Sequence, residues 1–413
     1  MQRLHIAHFT NFYHPVVNGV VRSVSAFRQG LTDLGHNAFV FAQHSTDYDD
    51  EEPFIFRYPA VNLPLQIDVP AAIPISPTID RLLPSLKLDV IHTHHPFLLG
   101  QVAAVKAEEL DVPLVFTFHT RYRDYTHYFP LPQEAVQDFV KSAIDTWLAE
   151  YMEKCHHIVV PSNSFKEILG EGFGLNERVT VIPTGIQLAP YQQADGDLIR
   201  AKHGWGSEKI LVSVGRLAPE KNWETLLHAA ARVMSEVSEF RVLLIGDGPS
   251  KKDLVKLAQK LGIGERVTFL GQIPFEEVPD YLKAADLFGF ASVTETQGLV
   301  TMEALAAGLP VAAVDAPGTR DGVTHGKEAL LTKNDSAELA EAIRTLVLDE
   351  DLYAQYKKAA IEKASSFEIK NVSKRLVDVY RQAMEDQRRD RRVQLEKTHK
   401  LFKIDWKRLP SLS

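Results

Sequence analysis

Short β-branched runs alternate with helix-spaced apolar patterns from one end of the chain to the other. Few folds can bury such an order of elements other than parallel sheets wrapped by helices. Strands are read at Leu4–Phe9, Ala38–Ala42, Asp89–Thr93, Leu114–Phe118, His157–Val160 and Val179–Ile182. A second series runs through Lys209–Val214, Arg241–Ile245, Val267–Leu270, Leu287–Phe290 and Val311–Val314. Two series imply two doubly wound α/β domains, which 413 residues accommodate. Pro190, the Gln192-Gln193 pair and Gly196 interrupt the pattern, so the expected division is 1–190 and 191–365. A helix over 366–386, packing back toward the N-terminal domain, and a tail over 387–413 complete the chain. Ligands of open α/β sheets bind outside the carboxyl ends of the strands, which predicts a site in a cleft between two facing domains.

Charge narrows the function. The formal net charge of −8 argues against general nucleic-acid binding. Between Gln387 and Ser413, however, nine basic residues face three acidic ones, a local +6 that leaves −14 on the rest. Leu401, Phe402, Ile404 and Trp406 interleave with the tail's cations, a pattern suited to an anionic membrane surface. Ile79–Lys87, with Ile79, Leu82, Leu83 and Leu86 at helical spacing, is a second candidate for that contact. No apolar run reaches the length of a membrane span, and Leu4–Phe9 reads as a strand rather than a leader. The single cysteine, Cys155, reads as a packed thiol. A cytoplasmic protein, peripheral on the inner face of the cell membrane, is the expectation; oligomeric state is not legible.

The densest chemistry lies in Glu295-Thr296-Gln297-Gly298-Leu299-Val300-Thr301-Met302-Glu303, where two carboxylates bracket the start of a helix. Bare N–H groups at Gly298, Leu299 and Val300 can hold an anion, while Glu295 and Glu303 accept hydrogen bonds from hydroxyls on either side of it. Sugar, diphosphate and ribose have that layout. Upstream, Gly215-Arg216-Leu217-Ala218-Pro219-Glu220-Lys221 brings two cations, Arg216 and Lys221, to one strand tip. Paired cations suit a departing diphosphate. Gly19, at the start of the first helix, allows close backbone approach to phosphate, and strand Leu114–Phe118 delivers His119 to a carboxyl end.

The segment Glu295–Glu303, followed by Ala304-Leu305-Ala306-Ala307-Gly308-Leu309-Pro310-Val311, resembles the glutamate-x7-glutamate motif of the retaining family 4 glycosyltransferases. The resemblance spans about residues 1–385 and implies a GT-B fold, two Rossmann-like domains facing across a cleft. It implies that Glu295 contacts hydroxyls of the donor sugar, that Glu303 binds the ribose, and that the residues between them serve the diphosphate. Arg216 and Lys221 fall in the family's phosphate-binding loop, Gly19 in its glycine-valine loop, and His119 at the histidine that contacts the transferred sugar. Gly246, Gly271 and Ile273 match the places that hold the base. The implied reaction retains anomeric configuration by front-face displacement, with no separate protein base. Where the family often carries Pro-Asn-Gly-Val-Asp at the domain junction, this chain has Pro183-Thr184-Gly185-Ile186-Gln187, which touches the placement of the hinge.

His119-Thr120-Arg121-Tyr122-Arg123-Asp124-Tyr125-Thr126-His127-Tyr128 looks like a stretch of the bacterial diacylglycerol glucosyltransferases, making Tyr122, Tyr125, His127 and Tyr128 the acceptor candidates. The expected activity is transfer of a hexose, glucose from UDP-glucose, to a membrane lipid such as diacylglycerol. The alternative keeps the chemistry on a soluble small-molecule acceptor. A nucleotide-sugar epimerase on a similar fold needs no acceptor, and the glutamate pair with Arg216 and Lys221 argues against it. No metal or other cofactor is expected: His92, His94 and His95 lack a carboxylate partner, and the two cations already neutralise the diphosphate.

Overall fold

The apolar runs become parallel strands buried on both faces, as their lack of polar alternation requires. The computed structural model describes residues 2–45, 48–61, 71–120, 122 and 134–396. In the first half the strands are β1 (His5–Phe9), β2 (Asn37–Gln43), β3 (Ile55–Tyr58), the antiparallel pair β4 (Ala60–Val61) and β5 (Ala71–Ala72), β6 (Val90–Thr93), β7 (Leu114–Thr117), β8 (His157–Val160) and β9 (Val179–Val181). Seven of them form a parallel sheet in the order β3-β2-β1-β6-β7-β8-β9. The second half contributes β10 (Lys209–Val214), β11 (Phe240–Ile245), β12 (Val267–Gly271), β13 (Leu287–Phe290), β14 (Val311–Val314) and β15 (Ala329–Thr332), ordered β12-β11-β10-β13-β14-β15. The architecture is GT-B, two doubly wound α/β units. Strand β3 and strand β15, missing from the sequence reading, are both edge strands whose mostly half-buried residues carry a weak apolar signal.

Winding reverses between β1 and β6 in one sheet and between β10 and β13 in the other. At such a switch point neighbouring loops diverge to opposite faces and leave a crevice at the carboxyl ends. Cores fill both faces of each sheet. Phe27, Leu31, Val90 and Val115 pack on one face of the first, and Phe41, Ile91, Phe116 and Ile158 on the other. In the second sheet Val212, Phe288 and Leu305 lie on one face, with Leu211, Leu227 and Leu244 on the opposite one.

The chain divides into Met1–Pro183 with Val372–Ser413, and Thr184–Asn371. The boundary therefore falls at 183/184 rather than 190/191. Its cause is local: Gln297 holds the Thr184 backbone at both polar groups, by Thr184 N–H to Oε1 at 2.8 Å and Nε2–H to the Thr184 carbonyl at 3.1 Å. Ile186 then bridges Glu368 across the two connecting stretches of chain, Ile186 N–H reaching the Phe367 carbonyl at 2.8 Å and Ile369 N–H the Ile186 carbonyl at 2.9 Å. Helix Ile369–Arg388 returns to the first unit, where Val372, Leu376, Tyr380 and Ala383 pack with Leu4, Ile6 and Phe27.

Two sequence expectations about membrane contact change here. Ile79 and Leu83 are 4% and 1% exposed and belong to the core, with Leu86 packed against it, so the apolar stripe of Ile79–Lys87 faces inward. The basic segment is not a free tail from Gln387 onward. Gln387 Nε2–H donates to Asp111 Oδ1 at 2.6 Å, Val393 N–H to the Cys155 carbonyl at 2.8 Å, and Leu395 bridges Leu175, with Val393 and Leu395 in the core. Its aromatic part, beyond Glu396, lies outside the described residues. Cys155 is buried, its Sγ–H donating to the Tyr151 carbonyl at 3.4 Å. Among the described residues no helix is long and apolar enough to cross a membrane.

Candidate active site

The candidate residues of the second unit gather at the switch between β10 and β13, which pair directly through Leu211 and Val212 with Leu287 and Phe288. After β10 the chain turns through Gly215 and the exposed Arg216 into a single 3-10 turn, Pro219–Lys221, before helix Trp223–Glu236. Trp223 Nε1–H donates to the Arg216 carbonyl at 2.9 Å, and Asn222 Nδ2–H to the Ala291 carbonyl at 3.1 Å, so the loop is pinned at both ends. These anchors bring Lys221 Nζ to 2.5 Å from Glu295 Oε1. The sequence reading assigned Lys221 to the diphosphate and Glu295 to the sugar; the structure sets the two charges against each other.

Gly298, at φ 69° and ψ 53°, is left-handed, a conformation that costs a side-chain-bearing residue and suits glycine. It is the cap of helix Leu299–Ala306, and no side chain caps that helix's leading N–H groups. The half-buried Leu299 and Val300 therefore begin a positive helix end next to Glu295. Glu303, one turn on, is 1% exposed. Gln297, buried between the two glutamates, was not anticipated: its amide ties this loop to Thr184 at the domain junction. Only its placement inside the motif could have signalled it.

Gly246, at φ 137°, owes its identity to packing. A Cβ there would lie 1.9 Å from the Gly215 carbonyl oxygen, so the loops after β10 and β11 could not stack. Gly246 N–H also donates to the Gly271 carbonyl at 2.9 Å, linking the tips of β11 and β12. The half-buried Ile273 follows and packs against the core.

In the first unit, Asn18 caps helix Gly19–Asp33 by accepting from Val21 N–H at 2.9 Å, and a Gly19 Cβ would meet nothing within 4 Å among the described residues beyond its own turn of helix. His119 follows β7. His119 Nε2 meets His94 Nδ1 at 2.9 Å, and His94 Nε2 meets His8 Nδ1 at 3.0 Å. Burial pushes the His8 and His119 pKa values down to about 3 and those of His92 and His94 well below the usual range, so all four rings are neutral at pH 7. Tyr122 lies between Phe97 and Phe118, with ring centroids 5.5 and 5.7 Å away, packed against the core. Tyr125, His127 and Tyr128 fall outside the described residues.

Of the three histidines weighed in the sequence, two gather with a third that was not. His95 accepts from Asn11 N–H at 3.1 Å and stands apart, whereas His8, His92 and His94 hold nitrogen atoms within 4.8 Å of one another, spacing compatible with a metal ion. Both nitrogens of His92 are already engaged, Nδ1 with the Tyr380 hydroxyl at 2.7 Å and Nε2 with Thr117 Oγ1 at 2.6 Å.

Comparison with known proteins gives the family. Residues 17–189 match the family Glycosyltransferase Family 4, and residues 195–363 match Glycosyl transferases group 1. The chain is 34% identical over 317 residues to an alpha-monoglucosyldiacylglycerol synthase of Streptococcus pneumoniae, covering 75% of this chain and 71% of that protein. A second alpha-monoglucosyldiacylglycerol synthase, from Acholeplasma laidlawii, is 32% identical over 326 residues, covering 75% and 79%. In three dimensions the chain is similar to Anabaena HepE in complex with UDP, with a TM-score of 0.70 at 20% identity over 91% of this chain and 99% of that one. The chain thus belongs to the family 4 glycosyltransferases, with the group 1 domain as its second unit.

Proposed function

We propose that this enzyme moves glucose from UDP-glucose to diacylglycerol or a closely related membrane lipid, with retention at the anomeric carbon and without a metal ion. The observation that carries the donor side is the Lys221–Glu295 pair beside the uncapped start of helix Leu299–Ala306. A diphosphate seated on those N–H groups draws Lys221 away from Glu295 and leaves the carboxylate to accept from sugar hydroxyls. Glu303 takes the ribose, Arg216 adds a second cation, and the backbone around Gly246, Gly271 and Ile273 takes the base. By the resemblance, Gly19 serves the diphosphate and His119 the transferred sugar.

In the reaction the acceptor hydroxyl oxygen bonds to the anomeric carbon as the bond from that carbon to the phosphate oxygen breaks. The hydroxyl proton passes to the departing diphosphate, whose charge Lys221 and Arg216 stabilise. Both synthases named above support the lipid acceptor, and an acceptor in a bilayer calls for peripheral association with the membrane. The test is a panel of sugar nucleotides, each offered with diacylglycerol vesicles and with soluble acceptors, the products identified by mass and their anomeric configuration by NMR. Transfer to soluble acceptors alone, or inverted product, would refute the reading.

A further inference from the structure

His119, His94 and His8 form a row whose consequences reach beyond the contact assigned to His119. His119 and His94 stack with centroids 5.2 Å apart, and His94 and His8 with centroids 5.3 Å apart. The row crosses the β1/β6 switch point, because His8 and His92 are register partners and His94 N–H continues the ladder to the Phe9 carbonyl at 2.9 Å. His92 lies alongside, its nitrogens taken by Tyr380 and Thr117, and does not join the row. At the inner end, His8 Nε2 is buried with no hydrogen-bond partner among the described residues.

A neutral imidazole carries one ring proton, so two hydrogen bonds in series permit only two arrangements. In the first, His119 donates from Nε2 to His94, His94 donates from Nε2 to His8, and His8 is left with a buried N–H that nothing accepts. In the second, His8 donates from Nδ1 to His94 and His94 donates from Nδ1 to His119, leaving only a lone pair at His8 Nε2. Orphaned buried N–H groups are rarer than under-used acceptors, so the second arrangement is favoured. In it, His119 accepts at Nε2 and carries its proton on Nδ1.

We propose that His8 and His94 are positioning residues that fix His119 as its Nδ1–H tautomer, so that Nδ1 donates a hydrogen bond to a hydroxyl oxygen of the transferred sugar. This rests on the assignment of His119 to the sugar made above. Without the row, His119 reverts toward the Nε2–H tautomer that an unconstrained imidazole prefers, and presents a lone pair where the sugar needs a donor.

Histidine-selective 15N labelling of the full chain reads the tautomer directly. Nδ1 of His119 should carry the proton in the wild type, and the proton should shift toward Nε2 in His94→Leu and in His94→Gln, whose amide reaches His8 but not His119. His94→Asn, with an amide at the place of Nδ1, should restore donation. Turnover should follow, with kcat about tenfold lower in the first two variants, donor KM changed by less than about twofold, and recovery in His94→Asn. A wild-type His119 protonated at Nε2, or a tautomer indifferent to both substitutions, would overturn the proposal. So would stoichiometric zinc on the purified wild type held by His8, His92 and His94. His119→Ala with wild-type turnover, alongside the expected NMR signature, would instead overturn the sugar assignment, so the two failures are distinguishable.

Discussion

Removing either member of the Lys221–Glu295 pair should lower stability and turnover by separable amounts. The two side chains are 23% and 15% exposed. That places the pair between a surface ion pair, worth about 0.2–1 kcal/mol, and a fully buried one, whose breakage costs about 3–5 kcal/mol. For Glu295→Ala or Lys221→Ala without donor we expect roughly 1–3 kcal/mol of destabilisation. That is a fall in Tm on the order of 2–10 °C for a unit of this size. Each loss strands the partner, so the double variant should be less destabilised than the sum of the singles by about 1–2 kcal/mol. UDP should erase that coupling, because Lys221 then answers the diphosphate. On the reaction, each single variant should lose about 100-fold or more in kcat, about 2.7 kcal/mol of transition-state stabilisation. The assay is thermal melting of the four proteins with and without UDP, beside initial rates with the preferred donor. Near-normal kcat in either single variant with native circular dichroism would refute the donor-site assignment. Coupling that persists with UDP would refute the exchange of partners. Glu303→Ala should behave differently, weakening donor binding more than kcat.

Turnover should survive EDTA, since two protein cations serve the diphosphate; loss restored by magnesium or manganese would demand a metal site absent from this reading. Lowering pH from about 6.5 toward 4 should destabilise the first unit. The folded pKa values of His8, His95 and His119 lie near 3 against an ordinary value of 6.5. The unfolded chain thus binds more protons throughout that window, and stability is full above it and lost as pH falls. Melting that is flat from pH 7 to 4 would contradict this. Truncation after Glu396 should weaken co-sedimentation with anionic vesicles, each lost cation contributing up to about 1 kcal/mol at low salt. Truncation before Gln387 should also unfold the first unit more easily, because it strips Val393 and Leu395, each worth roughly 2–3 kcal/mol, from the core. Equal vesicle binding by full-length and shorter chains would remove the tail from the membrane contact.

Periodicity made the two sheets legible because interior strands of parallel sheets must be apolar on both faces, as in the buried run Ile210–Ser213. It failed at β3 and β15, where one side faces water and the composition is mixed. The glutamate motif was legible because helix entry and charge coincide within nine residues. The closeness of Lys221 to Glu295 was not, since it depends on β10 and β13 being neighbours and on the Asn222–Ala291 anchor. His8 was invisible for the same reason: only the pairing of β1 with β6 sets it beside His92 and within reach of His94. The docking of Val393 and Leu395 was hidden by the surrounding arginines, whose charge made a packed segment read as a solvated end.

The residues that sequence reasoning missed share one property: they act through groups that already have a protein partner. Glu295, Lys221 and Arg216 carry charge in segments whose residue order matches a known motif. Gln297 and His94 are uncharged and buried: Gln297, itself within the glutamate loop, gives both ends of its amide to the Thr184 backbone, and His94 joins His119 to His8. A buried polar side chain with both ends engaged has little freedom to satisfy either end elsewhere, so it transmits geometry from the scaffold to the site. That is why Gln297→Ala should loosen the Glu295–Gly298 loop without touching donor chemistry directly. It would leave the Thr184 N–H and carbonyl without the amide that now answers both. Donor affinity should then fall with little change in kcat for whatever donor is bound, and a kcat loss as large as that of Glu295→Ala would show instead that Gln297 contacts the reacting groups.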